Sequence, residues 1–204
     1  NGNSIVRLYQ AQPEGLPHPW YFVHRENAPI GGVGIFTIFE NPEGKQFVHL
    51  LKMKRPSLGG KITLELPAGL IGDKPGSEDI LESAKREVRE ETGFEPHKIK
   101  LLTPHVLPVA QGYSSELNSL AMALIKGKPK AEDLRDESEK TIIVGQMHVP
   151  VETFSDTAQF TKWVKKMTDE KYLVTSGIFT SRALMPNLVN GKVPFSGNKL
   201  KITA

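Results

Sequence analysis

Three glutamates, Glu87, Glu90 and Glu91, stand close together near the middle of this 204-residue chain. Positions i, i+3 and i+4 of a helix share one face, so a helix over residues 77–92 brings the three carboxylates together. Anions crowded in this way invite a divalent cation. Hard oxygen donors suit magnesium or manganese, and those metals in turn suit the oxygens of a diphosphate. The same spacing also describes a solvated helix face, because charged residues decorate many surface helices. The residues around the three glutamates separate the two readings.

Those residues form a frame: Gly72, Glu78, Arg86, Glu87, Val88, Glu90, Glu91, Gly93 and Phe94. It resembles the Nudix box of pyrophosphate-cleaving hydrolases at almost every specified position, with Phe94 where the box usually has an aliphatic residue. Average residue frequencies put a chance match at roughly one in a million, which favours the metal-binding reading. The resemblance implies a mixed α+β Nudix fold, a β-sheet between helices. It also implies magnesium, with manganese as a substitute, held by Glu87, Glu90, Glu91 and the carbonyl of Ala68. Arg86 and Glu78 would orient the glutamates, and Gly72 and Gly93 would permit the loop and the helix end.

Neighbouring segments narrow the resemblance. Residues 64–70, Leu-Glu-Leu-Pro-Ala-Gly-Leu, look like the lead-in of the ADP-ribose and nucleoside diphosphate sugar branch. Residues 54–60, Lys-Arg-Pro-Ser-Leu-Gly-Gly, resemble the Arg-Pro-Pro-x-Gly-Gly segment of animal ADP-ribose pyrophosphatases. An arginine fork suits a diphosphate, so Arg55 is a candidate substrate contact. Trp20 and Arg25 hold the places of a tryptophan that stacks on adenine in that branch and an arginine a few residues later; Trp20 reads equally well as a core aromatic. In the relatives this segment crosses a dimer interface, so a homodimer is implied. Residues 108–116 resemble a substrate loop with a Pro-Gly pair followed by Ser and often Glu. Gln111 replaces the proline, Ser115 becomes a substrate contact, and Glu116 a metal or substrate contact. The relatives carry a catalytic glutamate on a mobile loop before the last strand. Glu137 and Glu139 lie there, but their distance to Pro150 is longer than usual, so register does not choose between them. The general base is expected at one of these two rather than at Glu116, because a base on a mobile segment can close over bound diphosphate.

The expected reaction is hydrolysis of the diphosphate bond of ADP-ribose or a related nucleoside diphosphate sugar. The alternatives are a Nudix hydrolase of dinucleoside polyphosphates or capped RNA, and a Nudix-fold module that holds RNA or partner proteins.

The elements that must position these residues are also legible. Residues 5–10, 20–24, 33–39, 46–53 and 62–66 are rich in β-branched and aromatic residues and are separated by turn formers, which predicts strands. Further strands are predicted over 99–106, 117–125 and 141–149, with a polar loop over 126–140. Past Pro150, Phe160, Trp163, Val164 and Met167 follow helical spacing and form a core-facing stripe. A last helix over 175–189 meets Pro186, which would kink or end it. Residues 1–30 are expected to form a small antiparallel β subdomain for dimerisation and adenine binding, and 31–204 the catalytic domain. The absence of cysteine excludes disulfides, zinc thiolate sites and thiol catalysis. A net charge of +3, spread along the chain, suits anionic ligands such as nucleotides, with nucleic acid less favoured. No apolar run reaches membrane-spanning length, and the first ten residues lack a signal-peptide pattern. The cytoplasm is the expected compartment, or an organelle if a targeting segment has been removed.

Overall fold

The structure, a computed structural model, describes residues 6–26, 31–72, 79–103, 106–110, 112–130 and 134–183. Two strands, β1 (Val6–Ala11) and β2 (Trp20–Arg25), pair antiparallel as a separate two-stranded sheet. Tyr9 stacks on Phe22 with ring centroids 5.7 Å apart, and its hydroxyl donates to Glu26 at 2.8 Å. A lone hairpin is marginal in water. This one is anchored at its β2 edge: the Val23 amide donates to Tyr113 O at 2.8 Å and the Ser115 amide donates to Val23 O at 3.1 Å.

The large sheet contains β3 (Gly32–Glu40), β4 (Gln46–Arg55), β5 (Lys61–Glu65), β6 (Ala68–Leu70), β7 (Pro96–Leu101), β8 (Leu107–Pro108), β9 (Leu117–Lys126), β10 (Ile143–Pro150) and β11 (Leu173–Val174). Its main order is β11-β5-β4-β3-β9-β7, with β10 on β4, β6 on β3 and β8 on β9. It is mixed, since β3 runs parallel to β9 and β11 parallel to β5 while the other pairs are antiparallel.

Period-2 alternation sorts the apolar residues to two faces. On one face Val33, Ile35, Ala121, Ala123 and Ile125 are covered by α1 (Ile80–Thr92) through Ala84 and Val88, with Ile71 and Phe94. On the other, Phe36, Ile38, Val48, Leu50, Met122 and Leu124 meet Val151 and Phe154 of α3 (Val151–Ser155), Phe160 and Met167 of α4 (Thr157–Asp169) and Ile178 of α5 (Ser176–Ala183). The expected mixed sheet between helices is therefore what the chain forms, and Phe94 packs as an ordinary core residue, 4% exposed.

One irregularity of this sheet builds the site. β4 pairs with β3 only over residues 46–48 and then diverges from it. Residues 61–70 fill the wedge: β5 pairs with β4, and after Leu66 and Pro67, β6 pairs with β3. A proline cannot donate to a ladder, so the change of partner falls where the strand is already interrupted.

Several boundaries differ from the sequence reading. Helix α1 begins at Ile80, because Asp79 caps it: the Asp79 carboxylate accepts from the Leu81 and Glu82 amides, both at 2.8 Å. Ser77 and Glu78 lie outside the described residues, as do Gln111 and the last part of the predicted 175–189 helix, including Pro186. The strand expected over 99–106 runs instead from Pro96 to Leu101, following its pairing with β9. The segment read as an uninterrupted polar loop contains a short helix, α2 (Glu137–Ile142), nucleated by a reciprocal capping box between Asp136 and Glu139. Strand β10 starts correspondingly later, at Ile143.

Candidate active site

The acidic face of α1 is not a solvated face. Glu87 and Glu91 are 4% and 5% exposed and share the buried stripe with Ala84 and Val88. The helix lies against β6, and the Glu91 carboxylate accepts the Ala68 amide at 2.8 Å. Glu87 approaches so closely that a Cβ on Gly69 would stand 1.8 Å from its Oε1. Gly69 belongs to the 64–70 motif, and the lack of a side chain there is what admits Glu87; glycine inside a strand is the signal for such an approach.

Arg86 ties the cluster together. Its Nη1 donates to Glu87 Oε1 at 2.5 Å and to Glu90 Oε2 at 2.9 Å, while Nη2 donates to Leu70 O at 3.0 Å. The orienting part expected of Arg86 thus has a geometry.

Glu139 joins from α2. Ligand oxygens of Glu87, Glu90 and Glu139 all lie within 4.8 Å of one another. The capping box sets this approach: the Glu139 amide donates to Asp136 Oδ1 at 2.8 Å, and Glu139 Oε2 accepts the Asp136 amide at 2.9 Å. Glu137, one turn edge away, has a side chain 92% exposed and pairs with Lys140. Structure thus separates two glutamates that sequence could not, and it places Glu139 on a capped helical turn rather than a loop.

Burial, and after it the charge of Glu87, push the Glu91 carboxyl well above the usual carboxylate range; Glu139 adds to the rise, while the Ala68 amide and Arg55 oppose it. Buried anions that repel one another call for a proton or a cation. Every donor in the group is a carboxylate oxygen, the set that fits a hard divalent ion.

Arg55 lies beside this cluster, but its fork is taken. Nε and Nη2 each donate to one oxygen of Glu65 at 2.7 Å, and Nη2 also meets Met53 Sδ at 3.4 Å. The Thr63 hydroxyl bonds the same carboxylate. Nothing in the residue types around Glu65 singles it out, and it holds the fork by which Arg55 suits a diphosphate.

Arg25, Ser115 and Glu116 gather at the seam between β2 and residues 112–116. Arg25 faces Glu116 at 3.8 Å, and His24 Nδ1 lies 2.7 Å from the Ser115 hydroxyl, which donates to Val23 O at 3.3 Å. Glu116 thus stands with Arg25 and outside the carboxylate group of α1 and α2. The seam adjoins β6 through the start of β3: Gly32 pairs with Leu70 on one side and Asn118 on the other. Trp20 sits at the far end of β2, opposite Ala11 and 47% exposed, so it is not a core aromatic of this chain. A surface groove of about 660 Å³ along α4, lined by Lys162, Trp163 and Lys166, is on the other side of the sheet and holds none of these residues.

Residues 30–169 match the family model of the NUDIX domain, and the chain belongs to that family. It is 36% identical over 95 residues to an ADP-ribose pyrophosphatase of Saccharomyces cerevisiae, an alignment covering 45% of this chain and 39% of that protein. It is 38% identical over 84 residues to a putative nudix hydrolase 2 of Caenorhabditis elegans, covering 39% of this chain and 35% of that protein. These alignments span well under half the length of the curated relatives. A crystal structure of an ADP compounds hydrolase superposes with a TM-score of 0.43 at 15% identity, covering 80% of this chain and 95% of the other. No helix among the described residues is long and apolar enough to cross a membrane.

Proposed function

We propose that this chain is a divalent-metal-dependent hydrolase that cleaves the diphosphate bond of ADP-ribose or a related nucleoside diphosphate sugar, releasing a nucleoside monophosphate and a sugar phosphate. One observation carries the proposal: Glu87, Glu90 and Glu139 converge within 4.8 Å, beside a buried Glu91. The similarity to the yeast ADP-ribose pyrophosphatase supports the choice of substrate.

Glu87, Glu90 and Glu91, with the carbonyl of Ala68, would hold magnesium, and manganese would replace it. When bound, the metal neutralises diphosphate oxygens and lowers the pKa of a water molecule. Glu139 accepts the proton of the attacking water as general base. Arg86 fixes the directions of Glu87 and Glu90. Arg55 and Arg25 contact the diphosphate, Ser115 contacts the substrate, and Trp20 stacks on the adenine. Glu116 holds Arg25 in place.

The small β subdomain up to residue 30 serves a homodimer. One face of its hairpin presents Val6, Leu8 and Tyr21, which are 52%, 71% and 54% exposed. An apolar surface of this kind suits a second copy of the chain.

The test is incubation with magnesium and a panel of ADP-ribose, nucleoside diphosphate sugars, dinucleoside polyphosphates and capped RNA, followed by chromatography of the products. AMP and ribose 5-phosphate from ADP-ribose are expected. Preferential cleavage of caps or polyphosphates would overturn the substrate assignment, and no turnover of any compound would favour a binding module.

A further inference from the structure

We infer that Glu65 is a positioning residue: it takes the forked side of Arg55 and thereby aims the remaining nitrogen, Nη1, at an anionic ligand of the carboxylate cluster. The inference rests on the reading above, in which Arg55 contacts the diphosphate.

Arg55 and Glu65 lie on the same face of neighbouring strands but four residues apart along the ladder, since Arg55 pairs with Lys61 and Glu65 pairs with Leu51. The long side chain of Arg55 therefore runs back along the sheet, past Met53 and Thr63, to reach its partner. Glu65 is three residues before Ala68, whose amide binds Glu91, so this direction carries the guanidinium from the Pro56–Leu58 turn toward the cluster.

Of the five donors of a guanidinium, Nε and Nη2 are engaged by Glu65, with Nη2 also meeting Met53. The two on Nη1 have no protein partner among the described residues. Arg55 thus offers a single nitrogen rather than a fork. An arginine without this tether would be free to swing into solvent or to fold onto Glu91, and a ligand would have to order it on binding. Immobilising a side chain with many rotamers before the ligand arrives removes that cost.

The experiment is calorimetric titration with a non-hydrolysable α,β-methylene analogue of ADP-ribose, alongside steady-state kinetics with ADP-ribose. Glu65→Gln is expected to weaken analogue binding about tenfold, raising KM while leaving kcat within about threefold of wild type. Arg55→Ala should lose as much or more, and the double variant should bind no worse than Arg55→Ala alone. Losses that multiply in the double variant would reveal a merely structural part for Glu65 and overturn the inference, as would a Glu65→Gln protein that binds like wild type. Should Glu65→Gln fail to fold, Thr63→Val carries the same test, with a smaller loss that vanishes in the Arg55→Ala background. If the wild-type protein ignores the analogue, the substrate reading itself has failed and the inference falls with it. Wild-type binding with unaltered variants defeats the inference alone.

Discussion

Glu139 and Glu137 are two residues apart, carry the same charge, and have opposite surroundings. One reaches Glu87 and Glu90, and the other points into solvent with Lys140 beside it. Loss of a general base costs about a hundred to ten thousandfold in rate, so Glu139→Gln is expected to fall in that range and Glu137→Gln to stay near wild type. Single-turnover rates at saturating magnesium measure this, and a large loss confined to Glu137 would contradict it. Under the proposed function, Glu91→Gln and Glu87→Gln should also lower turnover by orders of magnitude with unchanged circular dichroism, because each removes a metal-ligand charge at constant size.

At the scale of elements, the site depends on the closeness of α1 to β6. That closeness requires a residue without a side chain at position 69, where a Cβ would overlap the Glu87 carboxylate at 1.8 Å. Gly69→Ala must therefore displace either the strand or the glutamate, and the glutamate is the softer of the two. The expected result is loss of at least a hundredfold in activity and a weaker rise of melting temperature on adding magnesium, with the secondary structure retained. A Gly69→Ala protein with normal activity would show that Glu87 does not need this approach. The capping box works similarly for α2. Its Asp136 holds the amide and, through its own backbone, the carboxylate of Glu139.

Across the whole molecule, β10 pairs with β4, and the two strands set His49 opposite His148, with the rings tilted and Nδ1 of His49 2.9 Å from Nε2 of His148. His49 is fully buried, and burial, followed by the nearness of His148, lowers its pKa to about 3. An unfolded chain takes up this proton near pH 6.5 while the folded one refuses it until about 3. The stabilisation is thus complete above pH 6.5 and is lost progressively as pH falls toward 3. The loss by pH 4 is on the order of 3 kcal/mol. Denaturant titrations between pH 7 and 4 should show His49→Leu losing less stability than wild type over that range, and parallel curves would exclude His49 as the source. The hairpin supplies another global test. If the proposed homodimer and substrate hold, Leu8→Glu is expected to shift the sedimentation velocity profile toward monomer and to raise the KM for ADP-ribose, without altering the core.

The helix of glutamates, the succession of strands, the Phe160–Met167 stripe and the Nudix frame were all legible in the sequence. Each is written in short-range spacing, and backbone geometry converts spacing into a shared face wherever the helix or strand forms. The segments of Arg55, Trp20, Arg25 and Ser115 were legible as resemblances, without their surroundings. Tertiary structure alone decided that Glu87 and Glu91 are buried rather than solvated, because β6 has to enter the wedge between β3 and β4 before anything covers that side of α1. It alone brought Glu139, and not Glu137, up to Glu87 and Glu90, through a capping box that opens a helix where composition suggested a loop. It alone showed that Arg55 has given its fork to Glu65, a partner ten residues away that only the β4–β5 ladder brings within reach. These outcomes turn on which strand pairs with which and in what register, so no spacing within a single element could have specified them.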